Sequence, residues 1–327
     1  REGYTGAVTL DSEMTLADHY TQQLSTQLTL HIDSLTDGEY GKITAPEINL
    51  GGTLVITKDL SESLGDIKIF EGSISGRFDN IVLPELEAGH SWDLSKLYTD
   101  GIITVVHTPG RIAVNPVLWI TPSDEPTVFE NENGTVYGMA NKAGSATNTN
   151  AVQVTEYSRP TLIENQINGL PSLNFDDDYL LSPLAKHPKT GFVIIKDTSP
   201  ANSDNDIISA VGTGTHGHFF FKSSNGETGD MEAFTRSANE EYSDAIGNNI
   251  NSSNVYKVIS YRWEPNQTIE IYSDGIFRNA GPDTVSIIET NTIGIVGGYW
   301  NSVWGGSKAQ VAEMIIFDEF LSQLDHD

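Results

Sequence analysis

The chain has no cysteine, which excludes disulfides, thiolate zinc sites and cysteine nucleophiles. Positive charge is scarce: 18 Lys and Arg stand against 45 Asp and Glu, a formal charge of −27. Such a field repels phosphate backbones and anionic lipid, so nucleic acid and membrane surfaces are poor partners. Surplus carboxylates act as a solubility device in an extracellular setting, and they also suit Ca2+, a hard ion that takes oxygen ligands. No run of about 18 apolar residues occurs, so no membrane insertion is expected. Amphipathic helical windows are missing as well.

What is present points to β-structure. Hydrophobic residues make up 38 %, enough for real cores, and the remainder is rich in the Gly, Asn, Ser, Thr and Asp of turns. A chain of 327 residues predicts two domains. The first unit runs from Arg1 to about His107. Its apolar residues alternate in Leu28, Leu30 and Ile32, again in Leu54 and Ile56, and in Ile67 and Ile69. Short strands bounded by Gly, Asp or Asn predict a sandwich, a barrel or the coils of a β-solenoid. Thr108, Pro109 and Gly110 break the pattern, so residues 108–115 read as a linker.

The run Gly72-Ser73-Ile74-Ser75-Gly76-Arg77-Phe78 leads to Leu83-Pro84-Glu85-Leu86, Gly89-His90-Ser91-Trp92-Asp93 and Leu97 to Gly101. With Leu50-Gly51-Gly52-Thr53-Leu54, it resembles the closing segment of autotransporter-associated β-strand repeats over about residues 24–106. That resemblance implies a solenoid-like stalk without an active site, in a secreted or surface-exposed bacterial protein, with Trp92 as a packing residue.

The second unit, about 116–327, is organised around Asn168 to Leu180. Asn168-Gly169 marks a turn, Leu173 and Phe175 alternate as in a half-buried strand, and Asp176, Asp177 and Asp178 follow. Further strands are expected at 191–196, 207–211, 218–222, 256–263, 269–272 and 309–317, with a hairpin turn at Asp274-Gly275. This spacing predicts a jelly-roll sandwich of two antiparallel sheets, so the fold class is all-β. Trp119, Arg159 to Leu162, the Asn168–Leu180 stretch, Ile271 to Gly275 and Ala312 to Asp318 resemble a bacterial laminin-G-like, concanavalin A-like domain. The resemblance implies glycan binding, Ca2+ binding or a spacer role, and a structural role for Glu313. Asp177 departs from it, since glycine is usual there.

Sugar recognition wants flat aromatic faces ringed by hydroxyl and amide partners. Tyr299, Trp300, Asn301 and Trp304, between paired glycines, form the candidate carbohydrate site and read as a loop. Oxygen-rich turns offer Asp176 and Asp178, and Asp204 and Asp206, as candidate ligands of a structural Ca2+. His216 and His218 form a weak metal or proton-transfer candidate, and no Gly-rich phosphate loop follows them. No jelly-roll hydrolase carboxylate spacing and no G-x-S-x-G elbow occurs. A lyase would need Tyr242, Arg236, His216 and His218 to converge.

The residues therefore support a carbohydrate-binding module of a secreted or cell-surface bacterial protein, with a polysaccharide or glycan as partner. The alternatives are an adhesive spacer and a polysaccharide-degrading enzyme. The start at Arg1 without a signal core, and the stop at Asp327 inside a helix-like start, point to part of a larger multidomain chain.

Overall fold

The computed structural model describes residues 7–33, 39–58, 64–143, 150–183, 187–199, 205–211, 219–223, 230–237, 241–247, 250, 255–285, 292–300 and 303–326. Side chains at 205, 219, 220, 222, 223, 242, 299, 300, 303–305 and 324 fall outside that description. The described residues are 60 % strand and 6 % helix, an all-β fold. It forms two compact units.

In the first unit, Ala7–Leu10, Gln27–Ile32, Thr53–Lys58 and Asn80–Val82 lie side by side in parallel. A second parallel row sets Glu13–Thr15 and His19–Thr21 beside Lys42–Leu50, and that strand beside Phe70–Gly76. Gln27 stands beside Thr53 and Thr53 beside Asn80, so two successive coils use 26 and 27 residues to return one strand further on, while the first, from Ala7 to Gln27, uses 20. Register then stacks like on like. Leu28, Leu54 and Ile81 form one buried ladder, with Leu30 and Ile56 in another. Each such side chain contributes about 1.5–3 kcal/mol by leaving water. The coils approach closely at Gly72, which has φ +152°; a Cβ there would collide with the Ala45 carbonyl oxygen. The glycine opening the Gly72-Ser73-Ile74-Ser75-Gly76 run is thus required by stacking. Beyond the coils, His90–Asp93, Ile102–His107 and Gly65–Lys68 pair antiparallel. Trp92 is buried among them, and its Nε1–H donates to the Pro84 carbonyl at 3.0 Å.

Residues 108–115 are tied into this unit. The Asn115 side chain accepts from the Gly89 N–H at 2.8 Å and donates to the Leu86 and Glu87 carbonyls at 2.7 and 2.9 Å. Two later segments, Asp124–Phe129 and Ala140–Asn148, also belong to the first unit. They meet there in a buried ion pair, Lys142 Nζ to Asp124 Oδ2 at 2.8 Å. The Leu94 N–H donates to the same carboxylate oxygen at 3.2 Å.

The second unit, Pro116–Ser123, Glu130–Met139 and Thr149–Asp327, is a sandwich of antiparallel sheets. Its front sheet runs, in spatial order, Thr161–Ile167, Leu170–Asp178, Val303–Phe317, Thr190–Asp197, Lys257–Glu264, Thr268–Ser273 and Ile276–Pro282. Leu118–Ile120 also pairs with Val303–Phe317. The back sheet includes Leu180–Pro183, Thr292–Ile295, Asn205–Val211, Phe219–Ser223, Met231–Arg236 and Tyr242–Gly247. Runs of successive strands stay in one sheet, as Asn205–Val211 to Tyr242–Gly247 do in the back, and the chain crosses between the sheets several times, which interleaves distant parts of it.

Leu173, Phe175, Val193, Tyr261, Trp263 and Met314 from the front sheet, with Ile208, Phe221 and Ile293 from the back, fill the core. The Phe221 and Tyr261 rings meet across it at 5.3 Å. Asp283, 2 % exposed, fastens the layers. Its carboxylate accepts from Thr235 Oγ1 at 2.7 Å, Trp263 Nε1 at 2.8 Å and the Asn266 N–H at 2.9 Å. Two-residue turns at Asn168-Gly169 and Asp274-Gly275, with φ positive at all four positions, close hairpins as their sequence predicts.

Candidate functional site

The aromatic segment at Tyr299 is a hairpin, not the loop its glycines suggest. Gly297–Trp300 pairs with the start of Val303–Phe317: Gly297 with Gly306, Gly298 with Gly305, Tyr299 with Trp304 and Trp300 with Val303. Tyr, Trp and Val suit a pleated ribbon, and that preference outweighs the glycines. Asn301 lies outside the described residues. The register sets Tyr299 and Trp304 directly opposite one another.

At the hairpin's base, two of the acidic candidates converge. The Gly298 backbone packs against the Asp206 carboxylate, where a Cβ would collide. The Asp206 N–H donates to Ser307 Oγ at 3.0 Å. On the neighbouring strand Asp178 stands opposite Ser307, and the Gly306 backbone packs against the Asp177 carbonyl. Ser307 thus has Asp178 opposite it within its own sheet and the Asp206 N–H on its hydroxyl from the other sheet. Asp204, His216 and His218 lie outside the described residues.

The acids have partners of their own. Lys308 Nζ bonds Asp176 and lies 3.0 Å from Asp177 Oδ2, and these two carboxylates raise the lysine's pKa. Asp178 Oδ2 accepts from the Asp176 N–H at 3.0 Å. Burial pushes the Asp178 carboxyl up, against that hydrogen bond. Asp177 has φ +64° and sits where the register slips between Asp176 and Asp178. This is a β-bulge whose left-handed residue explains why a glycine would be at home there. Among the described residues, no group of three or more His, Asp or Glu side chains could hold a metal ion.

Elsewhere, Tyr261 and Trp263 are fully buried. Trp119 Nε1 donates to Glu313 Oε1 at 2.7 Å, a structural role for the glutamate. Arg236 stands opposite Tyr242 on neighbouring strands of the back sheet. Sequence reasoning missed a polar row on the front sheet's outer face: Asn174 opposite Gln310, Gln310 opposite Lys196, and Tyr256 hydrogen-bonded to Gln310. Each residue occupies the polar phase of an alternating strand, but nothing local in the sequence joins strands so far apart.

No family model and no curated protein matches the chain. Among solved structures it is similar to the botulinum neurotoxin serotype D binding domain, at 14 % identity and TM-score 0.45, over 64 % of this chain and 50 % of that one. The binding domain of Paraclostridial Mosquitocidal Protein 1 gives 10 % identity and TM-score 0.45, over 65 % and 51 %. The Ruminococcus gnavus IT-sialidase CBM40, solved with α2,3-sialyllactose, gives 14 % identity and TM-score 0.36, over 47 % and 93 %. The chain spans about half the length of the toxin domains it matches.

Proposed function

We propose that the sandwich unit is a non-catalytic glycan-binding module, with the hairpin Gly297–Gly306 at its binding site. The observation that carries this is the hairpin register, which sets Tyr299 opposite Trp304 on a short ribbon. Paired aromatics on a ribbon stack against sugar rings, while carboxylates and hydroxyls at its base (Asp206, Asp178, Ser307) accept from and donate to sugar hydroxyls. The stacking itself calls on no Ca2+, and Lys308 offsets one of the two charges on Asp176 and Asp177. In the same proposal the domain is laminin-G-like, the coiled unit is an autotransporter-type stalk, and the protein works outside a bacterial cell.

A glycan array tests the function. It should carry α2,3-sialyllactose, the sugar held by one structural neighbour, together with neutral plant polysaccharides. Binding that falls at least tenfold in both Tyr299→Ala and Trp304→Ala is the expected result. A wild-type chain that binds no glycan on the array would leave the spacer role instead.

A further inference from the structure

The outer face of the front sheet carries a set of side chains that the hairpin does not use. Asn174, Gln310 and Lys196 stand in one row across three adjacent strands. Tyr256 extends the row: its hydroxyl lies 2.9 Å from Ser172 Oγ and 3.0 Å from Gln310 Oε1, with Lys196 Nζ 5.1 Å from its ring centroid. Gln310 Nε2 donates to Asn174 Oδ1 at 3.4 Å. One step toward the hairpin lies the Asp176–Lys308 pair. On the other side Ile194 stands opposite Val258, with Phe192 one step further along the same strand. Ser172 is buried beneath Tyr256, and the other side chains are partly open to solvent, Val258 at 40 %.

Three properties of this face select its occupant. Amide and phenol groups can donate and accept alike, which suits hydroxyls that do both. They are held by one another, so little ordering would be needed on binding. Apolar Ile194 and Val258 beside them match the C–H faces of sugar rings, yet they are too few for a protein-docking patch; the Phe192 ring is taken up by His326 at 4.9 Å. Lys308 and Lys196 together offset the charges of Asp176 and Asp177, so these four groups carry no net charge and the face favours an uncharged polymer. From Gly306 to Gln310 is four residues of one strand, about 13 Å at about 3.3 Å per residue. Hairpin and row are therefore within reach of one extended chain.

We propose that this face is a second glycan subsite, continuous with the hairpin, that takes an extended neutral polysaccharide through Asn174, Gln310, Lys196 and Tyr256. The subsite rests on the glycan-binding function proposed above.

Affinity electrophoresis of the full chain through gels holding galactomannan, xylan or mixed-linkage β-glucan tests it, alongside Asn174→Ala, Gln310→Ala, Lys196→Gln and Trp304→Ala. Melting temperatures identify any variant that fails to fold, and Lys196→Gln keeps most of the side chain's packing. Retardation in at least one gel is expected, weakened tenfold or more by Gln310→Ala and by Asn174→Ala. The hexasaccharide of that polymer should bind at least tenfold more tightly than its disaccharide, a preference that Gln310→Ala should erase. Retardation weakened by Trp304→Ala alone overturns the subsite and leaves glycan binding intact, as does binding to sialyllactose without any retardation. No binding to any of these probes overturns both.

Discussion

The coiled unit and the sandwich unit solve the burial of short strands in different ways. In the coils, neighbours in space are one turn apart in sequence, so Leu28 meets Leu54 and Leu54 meets Ile81. Repetition of that kind fixes backbone spacing, and its vulnerable points are close approaches such as Gly72 against Ala45. In the sandwich, neighbours come from remote parts of the chain: Asp176 pairs with Lys308, and Asp206 with Ser307. Unlike side chains meet there in combinations that repetition cannot supply. The difference explains why every candidate contact for a ligand lies in the second unit.

The comparison breaks most visibly at the two buried carboxylates. Asp124 faces a cation, whereas Asp283 is held by neutral donors. Asp124→Ala removes the carboxylate that faces buried Lys142 and is expected to destabilise the first unit by about 3–5 kcal/mol. Replacing the pair together, Asp124→Leu with Lys142→Met, should recover most of that loss in urea melts. Asp283→Ala leaves the Thr235, Trp263 and Asn266 donors unmatched, at a cost of about 3 kcal/mol to the second unit. No single apolar partner can rescue it. If the double replacement proves as damaging as Asp124→Ala, the distinction between the two sites is wrong.

Glycines give the next contrast. Gly72→Ala meets backbone at once and should cost about 3 kcal/mol or more, since the coil spacing must give. Gly169→Ala has φ +81° but nothing within 4 Å, so about 1 kcal/mol of backbone strain is expected. Thermal denaturation of the two variants checks the order.

The units also carry carboxylates of opposite pH response. Asp66, in the first, accepts hydrogen bonds from Thr104 at 2.7 Å and from Lys96 at 3.1 Å, and these hold its pKa below the ordinary 3.8. Its contribution is present above that value and is lost as pH falls through the lowered pKa. Asp178, in the second, has its pKa raised by burial, so the folded state binds the proton more tightly than the unfolded one. Its contribution is favourable below the unfolded value and is lost as pH rises through the raised one. Stability followed from pH 3 to 7 should therefore show Asp66→Asn weakening the protein only toward neutrality, and Asp178→Asn strengthening it only toward neutrality. Equal slopes in both variants and the wild type would contradict these assignments.

The smallest effect is expected at Asp177. Glycine removes the left-handed strain there but also the contact with Lys308, and an exposed ion pair is worth about 0–1 kcal/mol. Asp177→Gly should shift stability by under about 1 kcal/mol, read from a urea midpoint.

Much of this architecture was legible in the residues. Alternation at Leu28–Ile32 and in the run before Trp263 marked strands because one face of each is buried. Asp274-Gly275 marked a hairpin and Asn168-Gly169 a turn because few other dipeptides accept two positive φ angles. The hairpin at Tyr299 was hidden, since paired glycines read as loop until their partners are known. Asp206 beside Gly298, and Gln310 beside Lys196, depend on strand order across two sheets, which no local pattern carries. Nothing in the sequence singled out Asp283, because its donors lie 48, 20 and 17 residues away.

The passage of Asp124–Phe129 and Ala140–Asn148 into the first unit bears on how this protein can be dissected or recombined. Cutting after Asn115 would leave Asp124 and Lys142 on the downstream fragment and Leu94 and Trp92 on the other. Each piece would carry half of a severed joint. A clean exchange of the sandwich between proteins would need several splice points.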